Sequence, residues 1–188
     1  KEICRNASEA IRDKANTEIA FFGGSFTAIE REYMLELLEA VQEFVNEDGF
    51  KGIRISTRPD CIDEEILSIL KKYNVTAIEL GAQSMSDKVL KANDRGHSAA
   101  DVVIASELIR KLGFELGLQM MTGLYADSDT SAVNTAKKII EIAPQTVRIY
   151  PTIVLKDTDL AALYADNIYK PQTLSDAITL ATKLYKMF

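Results

Sequence analysis

Short apolar runs alternate with amphipathic helical patterns along the whole chain. Five runs have the length of β-strands and end in polar or glycine-containing clusters, at residues 18–25, 52–59, 77–83, 115–123 and 146–151. Around these runs, apolar residues recur at steps of three and four, as they do on one face of a helix. The pattern predicts the element order αβαβαβααβαβαα, beginning with a helix over residues 2–15.

Strands that alternate with helices predict parallel βαβ units with right-handed crossovers. Five strands are too few to close an eight-stranded barrel, so the pattern leaves two alternatives, an open sheet and a piece of a larger barrel. A βαβ protein more often begins with a strand, whereas this chain opens on a helical pattern. We therefore expect a preceding strand to be missing.

Capping residues predict where three of the helices start. Thr27 with Glu30, and Ser98 with Asp101, have the spacing of a capping box, in which two side chains satisfy free amides reciprocally. Asp63 directly precedes another helical pattern and is expected to be its N-cap.

Composition narrows the class of protein. A chain of 188 residues with 47% hydrophobic residues is expected to form one domain over residues 1–188. With a net charge of −6 and a pI near 5.0, the chain has no excess of positive charge to bind the phosphates of a nucleic acid. We therefore expect no direct nucleic-acid binding. No apolar run approaches the roughly 20 residues that span a bilayer, so we expect no membrane partner.

Cysteine and histidine usage limits the chemistry further. Cys4 and Cys61 do not form a C-x-x-C pair, so the sequence predicts no metal ligands and a reducing, cytoplasmic setting. His97 is the single histidine, and we expect it to be structural or solvated. No Ser-His-Asp set can be argued from it, and we assign no catalytic residue.

Residues at the ends of the runs are candidate ligand contacts, because the carboxyl ends of parallel strands meet at one edge of a sheet or barrel. Gly23 and Gly24 follow the first run and would let a ligand approach the backbone closely. Ser56 and Arg58 place a hydroxyl and a guanidinium at the second end. The alternative for Arg58 is an ion pair with Asp60.

Two glutamines lie on the third and fourth runs. Gln83 and Gln119 each offer a donor and an acceptor, so together they could bracket the hydroxyls of a sugar. The alternative is that both are satisfied inside the protein. Arg95, in the loop after the third run, is a candidate clamp for a carboxylate or, alternatively, a cation at a helix end.

Six segments together resemble the motifs of the radical S-adenosylmethionine (SAM) enzymes. The resemblance is to the branch of the elongator-type tRNA-modifying catalytic subunit and the oxygen-independent coproporphyrinogen oxidases. The segments are residues 22–27, 55–60, 78–84, 93–97, 118–124 and 147–151, in family order. The resemblance implies an α/β fold, an incomplete parallel (β/α) barrel of radical SAM type, in which this chain supplies about five strands, the second to the sixth.

The resemblance implies that the chain is the SAM-binding core of an enzyme. Gly23 and Gly24 match the glycine motif whose backbone receives the SAM ammonium group. Arg95 matches a position that clamps the SAM carboxylate. Gln83 and Gln119 match positions that face the ribose.

Five further positions lie on the same motifs and complete the predicted cofactor-binding set. Ser25 stands where many members have Glu or Thr, and Ser56 stands where some relatives carry Glu. Arg58 lies in the same segment as Ser56. The backbone near Met121 and Tyr150 would flank the adenine.

One family motif is absent from this sequence. The relatives carry C-x-x-x-C-x-x-C, whose thiolates hold a [4Fe–4S] cluster, and Cys4 lies in a different context. The resemblance therefore predicts a fragment without the first strand and the cluster loop, inactive on its own. In the full-length parent the cluster would cleave SAM to a 5′-deoxyadenosyl radical, with tRNA or another, unidentified substrate as the target.

Two other functions stay open at this point. Arg58, Arg95 and the Gly23–Gly24 loop could hold the phosphate of a metabolite in a barrel of the aldolase or isomerase type, although no strand end offers a lysine for a Schiff base. The chain could also be a non-catalytic interaction module.

Overall fold

Eight α-helices and five β-strands follow one another in the predicted order. The computed structural model describes residues 1–188. The strands are β1 (Glu18–Phe21), β2 (Gly52–Thr57), β3 (Val75–Gln83), β4 (Glu115–Thr122) and β5 (Thr146–Pro151). The helices are α1 (Glu2–Ala10), α2 (Arg31–Val41), α3 (Glu64–Lys72), α4 (Asp87–Ala92), α5 (Ala99–Lys111), α6 (Asp129–Ile142), α7 (Asp159–Ala165) and α8 (Leu174–Tyr185).

The strands form one sheet in the order β1-β2-β3-β4-β5. β1 pairs with β2 in parallel, with Glu18 opposite Gly52 and Phe21 opposite Ile55. β2 pairs with β3 in parallel as well, with a register shift between Ile53 and Arg54. Parallel neighbours that follow each other in sequence need a crossover connection, and α2 and α3 supply these for the first three strands.

The chain consists of two compact units. The first contains Lys1–Gly81 and Ile104–Gly117, and the second contains Ala82–Val103 and Leu118–Phe188. That residues 1–188 act as a single domain stays a prediction. None of the helices combines the length and the apolar composition that crossing a membrane requires.

The first unit has its apolar core on one face of β2 and β3. Alternation along β2 buries Ile53 and Ile55, whereas Arg54 and Ser56 point to the opposite face. The largest fully buried side chains of this unit belong to α2, α3, α5, β2, β3 and β4, and they are Met34, Leu38, Ile53, Ile55, Leu67, Leu70, Ile78, Leu80, Ile109 and Leu116. Burying each such side chain contributes about 1.5–3 kcal/mol.

The opposite face of the same strands carries a cluster of charges around Arg54. The Arg54 Nε atom donates to Glu18 Oε2 at 2.7 Å, and Nη2 donates to Glu115 Oε1 at 2.7 Å. The third guanidinium nitrogen, Nη1, lies 3.6 Å from Oε1 of Glu79, whose side chain is 1% exposed. Burial lowers the pKa of Arg54, but its hydrogen bonds to Glu115 and Glu18 outweigh burial, so the net pKa is raised.

Two of the predicted helix starts are confirmed. Asp63 is the N-cap of α3, and its Oδ1 accepts from the amide of Ile66 at 2.7 Å. Ser98 and Asp101 form the predicted reciprocal pair before α5. The amide of Ser98 donates to Asp101 Oδ2 at 2.7 Å, and the amide of Asp101 donates to Ser98 Oγ at 3.2 Å.

The predicted capping box of Thr27 and Glu30 is wrong. α2 begins at Arg31, and its N-cap Glu30 makes no capping hydrogen bond with its side chain. The Thr27 hydroxyl instead donates to the carbonyl of Cys61 at 2.7 Å and lies 2.6 Å from the hydroxyl of Thr57. Partners about 30 residues away in sequence therefore displaced the local cap.

The predicted first helix is also shorter than residues 2–15. α1 ends at Ala10, because Ile11 is extended with φ −86° and ψ 123°. The side chain of Asp13 then accepts from Asn16 Nδ2 at 3.0 Å, and Thr17 donates its hydroxyl to the Asp13 carbonyl at 2.7 Å. These bonds support a short 3-10 helix, Lys14–Asn16, in place of the last turn.

We predict that Arg54→Leu destabilises the protein by about 3 kcal/mol, because removing one partner of a buried ion pair leaves the other charges uncompensated. The midpoint of urea unfolding measures this loss. Arg31→Leu is the matched control, since Arg31 and Glu65 form an exposed pair with side chains 46% and 69% accessible, and its loss is within about 0.5 kcal/mol. Equal midpoints for the two variants would contradict a structural role of the Arg54 cluster.

Candidate functional site

Two exposed glycines follow β1 in the first unit. Gly23 has φ 108° and Gly24 has φ 78°, a region that residues with a Cβ atom rarely adopt. A Cβ atom built on either glycine meets no other atom within 4 Å. The positive φ angles, and not crowding, therefore favour glycine at both positions. Open space lies beside both residues. Ser25 precedes the 3-10 helix Phe26–Ala28 and makes no capping hydrogen bond with its side chain.

The end of β2 carries the other candidates of the first unit. Ser56 lies opposite Glu79 in the strand register. Arg58 Nε donates to Asp60 Oδ1 at 3.0 Å, and Nη2 makes a second bond to Asp60 Oδ2. The Asp60 carboxylate raises the pKa of Arg58. Of the two alternatives for Arg58, the structure has the ion pair with Asp60.

Gln83 ends β3 in an unusual backbone conformation in the second unit. Its φ is 60°, and the amide of Ser84 donates to the carbonyl of Ala82 at 2.7 Å, which closes a three-residue turn around Gln83. The Oε1 atom of Gln83 is buried and has no hydrogen-bond partner. An unpaired acceptor of this kind is rare inside a protein.

The remaining candidates of the second unit lie on β4, on β5 and in a loop. Gln119 is 9% exposed, Met121 is half-buried and Tyr150 is 42% exposed. Arg95 is half-buried, and its amide donates to the carbonyl of Leu90 at 3.0 Å, so the loop folds back on α4. His97, in the same loop, is buried rather than solvated, and its Nε2 lies 3.1 Å from the carbonyl oxygen of Ala82.

Sequence reasoning missed the segment 169–172, which forms hydrogen bonds to residues at the carboxyl end of β4. The buried Tyr169 donates its hydroxyl to the Gly123 carbonyl at 2.6 Å, and Thr122 donates to Gln172 Oε1 at 3.2 Å. Burial raises the pKa of Tyr169. A Cβ atom on Gly123 would lie 2.7 Å from Gln172 Oε1, so this glycine allows the close approach. A tyrosine about 50 residues downstream of β4 gave no local signal.

The chain belongs to the radical SAM superfamily. The family model described as the radical SAM superfamily matches residues 1–139. A second model, described as the radical SAM C-terminal domain, matches residues 144–188. The resemblance of the six sequence motifs is thus confirmed.

Three curated relatives illustrate the similarity. The tRNA uridine(34) acetyltransferase of Methanocaldococcus infernus is 28% identical over 181 residues, which are 86% of this chain and 34% of the relative. An uncharacterized protein of Methanocaldococcus jannaschii is 34% identical over 133 residues, which are 69% of this chain and 41% of the relative. Elongator complex protein 3 of Homo sapiens is 26% identical over 187 residues, 89% of this chain and 34% of the relative. The chain therefore spans 34–41% of the length of these relatives.

Solved structures define the fold. Elp3 of Methanocaldococcus infernus, with residues 1–46 deleted, superposes with a TM-score of 0.85 at 25% identity, over 98% of this chain and 48% of that one. Coproporphyrinogen III oxidase of Escherichia coli superposes with a TM-score of 0.72 at 17% identity, over 90% of this chain and 39% of that one. The predicted fold class is confirmed as an incomplete parallel (β/α) barrel of radical SAM type, with five strands in this chain.

The superfamily uses SAM together with a [4Fe–4S] cluster. The residues present include an acceptor that suits SAM, since in the second unit the Oε1 atom of Gln83 is buried without a partner and can accept from a ribose hydroxyl. They do not fit the cluster. The chain has two cysteines, Cys4 and Cys61, and no group of three or more possible ligands that could hold a metal ion.

We predict that Cys61 reacts slowly with thiol reagents, because burial and then the neighbouring Asp60 raise its pKa above the ordinary 9.0. The thiolate is the nucleophile, so the rate should keep rising as the pH passes 9.0. Iodoacetamide labelling of a Cys4→Ser variant isolates Cys61. The same variant unfolded in urea is the control, and an equal rate in both states at pH 8 would contradict the prediction.

Proposed function

We propose that this chain is the SAM-binding core of a radical SAM enzyme. The observation that carries the proposal is the Oε1 atom of Gln83, buried without a partner at the end of β3. A buried acceptor left unpaired costs about 1–3 kcal/mol, and the left-handed backbone of Gln83 costs about 1 kcal/mol more. A ligand hydroxyl that donates to Oε1 would offset these costs, and the SAM ribose offers such donors.

The other contacts of the proposal come from the family motifs, residue by residue. Gly23 and Gly24 receive the ammonium group at their backbone. Arg95 binds the carboxylate, and Gln119 binds the ribose together with Gln83. Each residue lies on the matching segment of this sequence.

Five more residues complete the proposed binding set. The backbone near Met121 and Tyr150 flanks the adenine. Ser25 follows Gly24 in the glycine motif, and Ser56 and Arg58 lie on the motif of residues 55–60. Because Arg58 already pairs with Asp60, it contributes shape and hydrogen bonding more than net charge. The same pairing leaves Arg58 with little net charge to offer a phosphate, which weakens the phosphate-binding alternative.

In a radical SAM enzyme, one electron from the reduced [4Fe–4S] cluster would break the C5′–S bond of bound SAM and give methionine and a 5′-deoxyadenosyl radical. The residues of this chain bind and orient SAM in the proposal, and none of them is assigned a catalytic role. The thiols of Cys4 and Cys61 are unpaired, which supports a reducing, cytoplasmic setting.

The substrate of the whole protein is proposed from its relatives. Several are named tRNA uridine(34) acetyltransferase, so we propose tRNA as the target. The net charge of −6 argues that tRNA is held by other parts of the protein and not by this chain. Anaerobic incubation of the cluster-reconstituted, full-length protein with SAM and tRNA should yield 5′-deoxyadenosine. Release of 5′-deoxyadenosine that is indifferent to tRNA would contradict this substrate.

We predict that Gln83→Ala weakens SAM binding about tenfold, because a neutral hydrogen bond contributes up to about 1.5 kcal/mol. Isothermal titration of the full-length protein measures the dissociation constant. Gln145→Ala is the matched control, since Gln145 is an exposed glutamine before β5 and outside the proposed set, and its affinity should equal that of the wild type. No SAM binding by the wild type, or wild-type affinity in Gln83→Ala, would overturn the proposal.

A further inference from the structure

The ring of His97 is fixed by one hydrogen bond inside the second unit. The side chain is 5% exposed, and Nε2 lies 3.1 Å from the carbonyl oxygen of Ala82. A carbonyl oxygen only accepts, so Nε2 must carry the hydrogen and donate. The Nδ1 atom is buried and has no partner. The contact to Ala82 is thus the only hydrogen bond that the His97 ring makes.

This bond reaches the turn that holds Gln83. The Ala82 carbonyl accepts from both the His97 ring and the amide of Ser84, the latter at 2.7 Å. Gln83, which lies between Ala82 and Ser84 in the sequence, has φ 60°. A three-residue turn with positive φ at its centre is strained for a residue with a side chain, and such strain persists only where neighbouring groups hold it.

Helix α6 anchors the chain on the far side of this turn. The Thr135 hydroxyl accepts from the amide of Met85 at 3.0 Å, and the Oγ atoms of Ser84 and Thr135 lie 3.4 Å apart. Lys138 donates to the carbonyl of Met85 at 2.9 Å. Hydrogen bonds from α6 therefore fix the segment after Gln83. The peptide that precedes Gln83 accepts its side-chain hydrogen bond from His97 instead.

We propose that His97 is a positioning residue for Gln83. The hydrogen bond from Nε2 fixes the plane of the Ala82–Gln83 peptide, and that plane sets the direction in which the Gln83 side chain leaves the backbone. His97 thereby presents the unpartnered Oε1 of Gln83 to the ligand. The inference rests on the proposed function, because the ligand in question is SAM.

A double-mutant cycle tests the inference on the full-length protein. His97→Leu removes the donor and keeps an apolar side chain in the buried position, and it should weaken SAM binding about five- to tenfold. His97→Gln keeps an N–H donor and should restore most of the affinity. In the Gln83→Ala background, His97→Leu should have no further effect on SAM affinity, because the group that it positions is gone.

The outcomes separate the two claims. If His97→Leu weakens SAM binding equally with and without Gln83, its role is general stability and the inference is overturned, while the proposed function stands. If the wild type binds no SAM, the proposed function is overturned and the inference with it.

A measurement without any variant covers the case in which His97→Leu does not fold. Nitrogen-15 NMR of the wild type reports which ring nitrogen of His97 carries the hydrogen. We expect the Nε2–H tautomer with a coupling across the hydrogen bond to Ala82. The Nδ1–H tautomer would overturn the inference.

Discussion

One face of β2 and β3 is polar, and burying polar groups costs free energy unless each finds a hydrogen-bond partner. In the first unit, Arg54 meets this requirement for the carboxylates of Glu18 and Glu115 at 2.7 Å each, and it lies near the buried Glu79. These residues are far apart in sequence, so the cluster can form only when the strands pair in the correct register. Satisfying the polar face therefore specifies the arrangement of the strands.

Two buried atoms of β2 and β3 depart from this rule, because Arg54 Nη1 and Gln83 Oε1 both lack a hydrogen-bond partner, although Nη1 still lies 3.6 Å from the Glu79 carboxylate. Gln83 keeps a buried acceptor without a partner, and its backbone lies in the left-handed region. Strain and unsatisfied polarity persist in a native structure only when the surroundings enforce them, and they concentrate at ligand sites. His97 and Thr135 supply hydrogen bonds that hold the turn. Hydrogen bonds thus stabilise the charged cluster of the first unit, whereas the unpaired acceptor of Gln83 in the second unit supports the proposed ligand contact.

The sequence predicted what depends on local patterns. Periodicity predicted the order of all thirteen elements, and the caps at Asp63 and Ser98 followed from short-range spacing. Thr27 failed as a cap because Thr57 and the Cys61 carbonyl, about 30 residues away, bind its hydroxyl. Long-range features give no local signal, and the cluster around Arg54 was missed for the same reason.

The same distinction between local and long-range features applies to the candidate site. The motifs predicted which residues to consider, including Gln83, but not that its backbone is strained or that its Oε1 lacks a partner. Those properties arise from the packing of the turn. The most direct test of the account compares the wild-type protein's affinity for SAM with that for an analogue lacking both ribose hydroxyls. The account predicts that the analogue binds at least about tenfold more weakly, and equal affinities would contradict it.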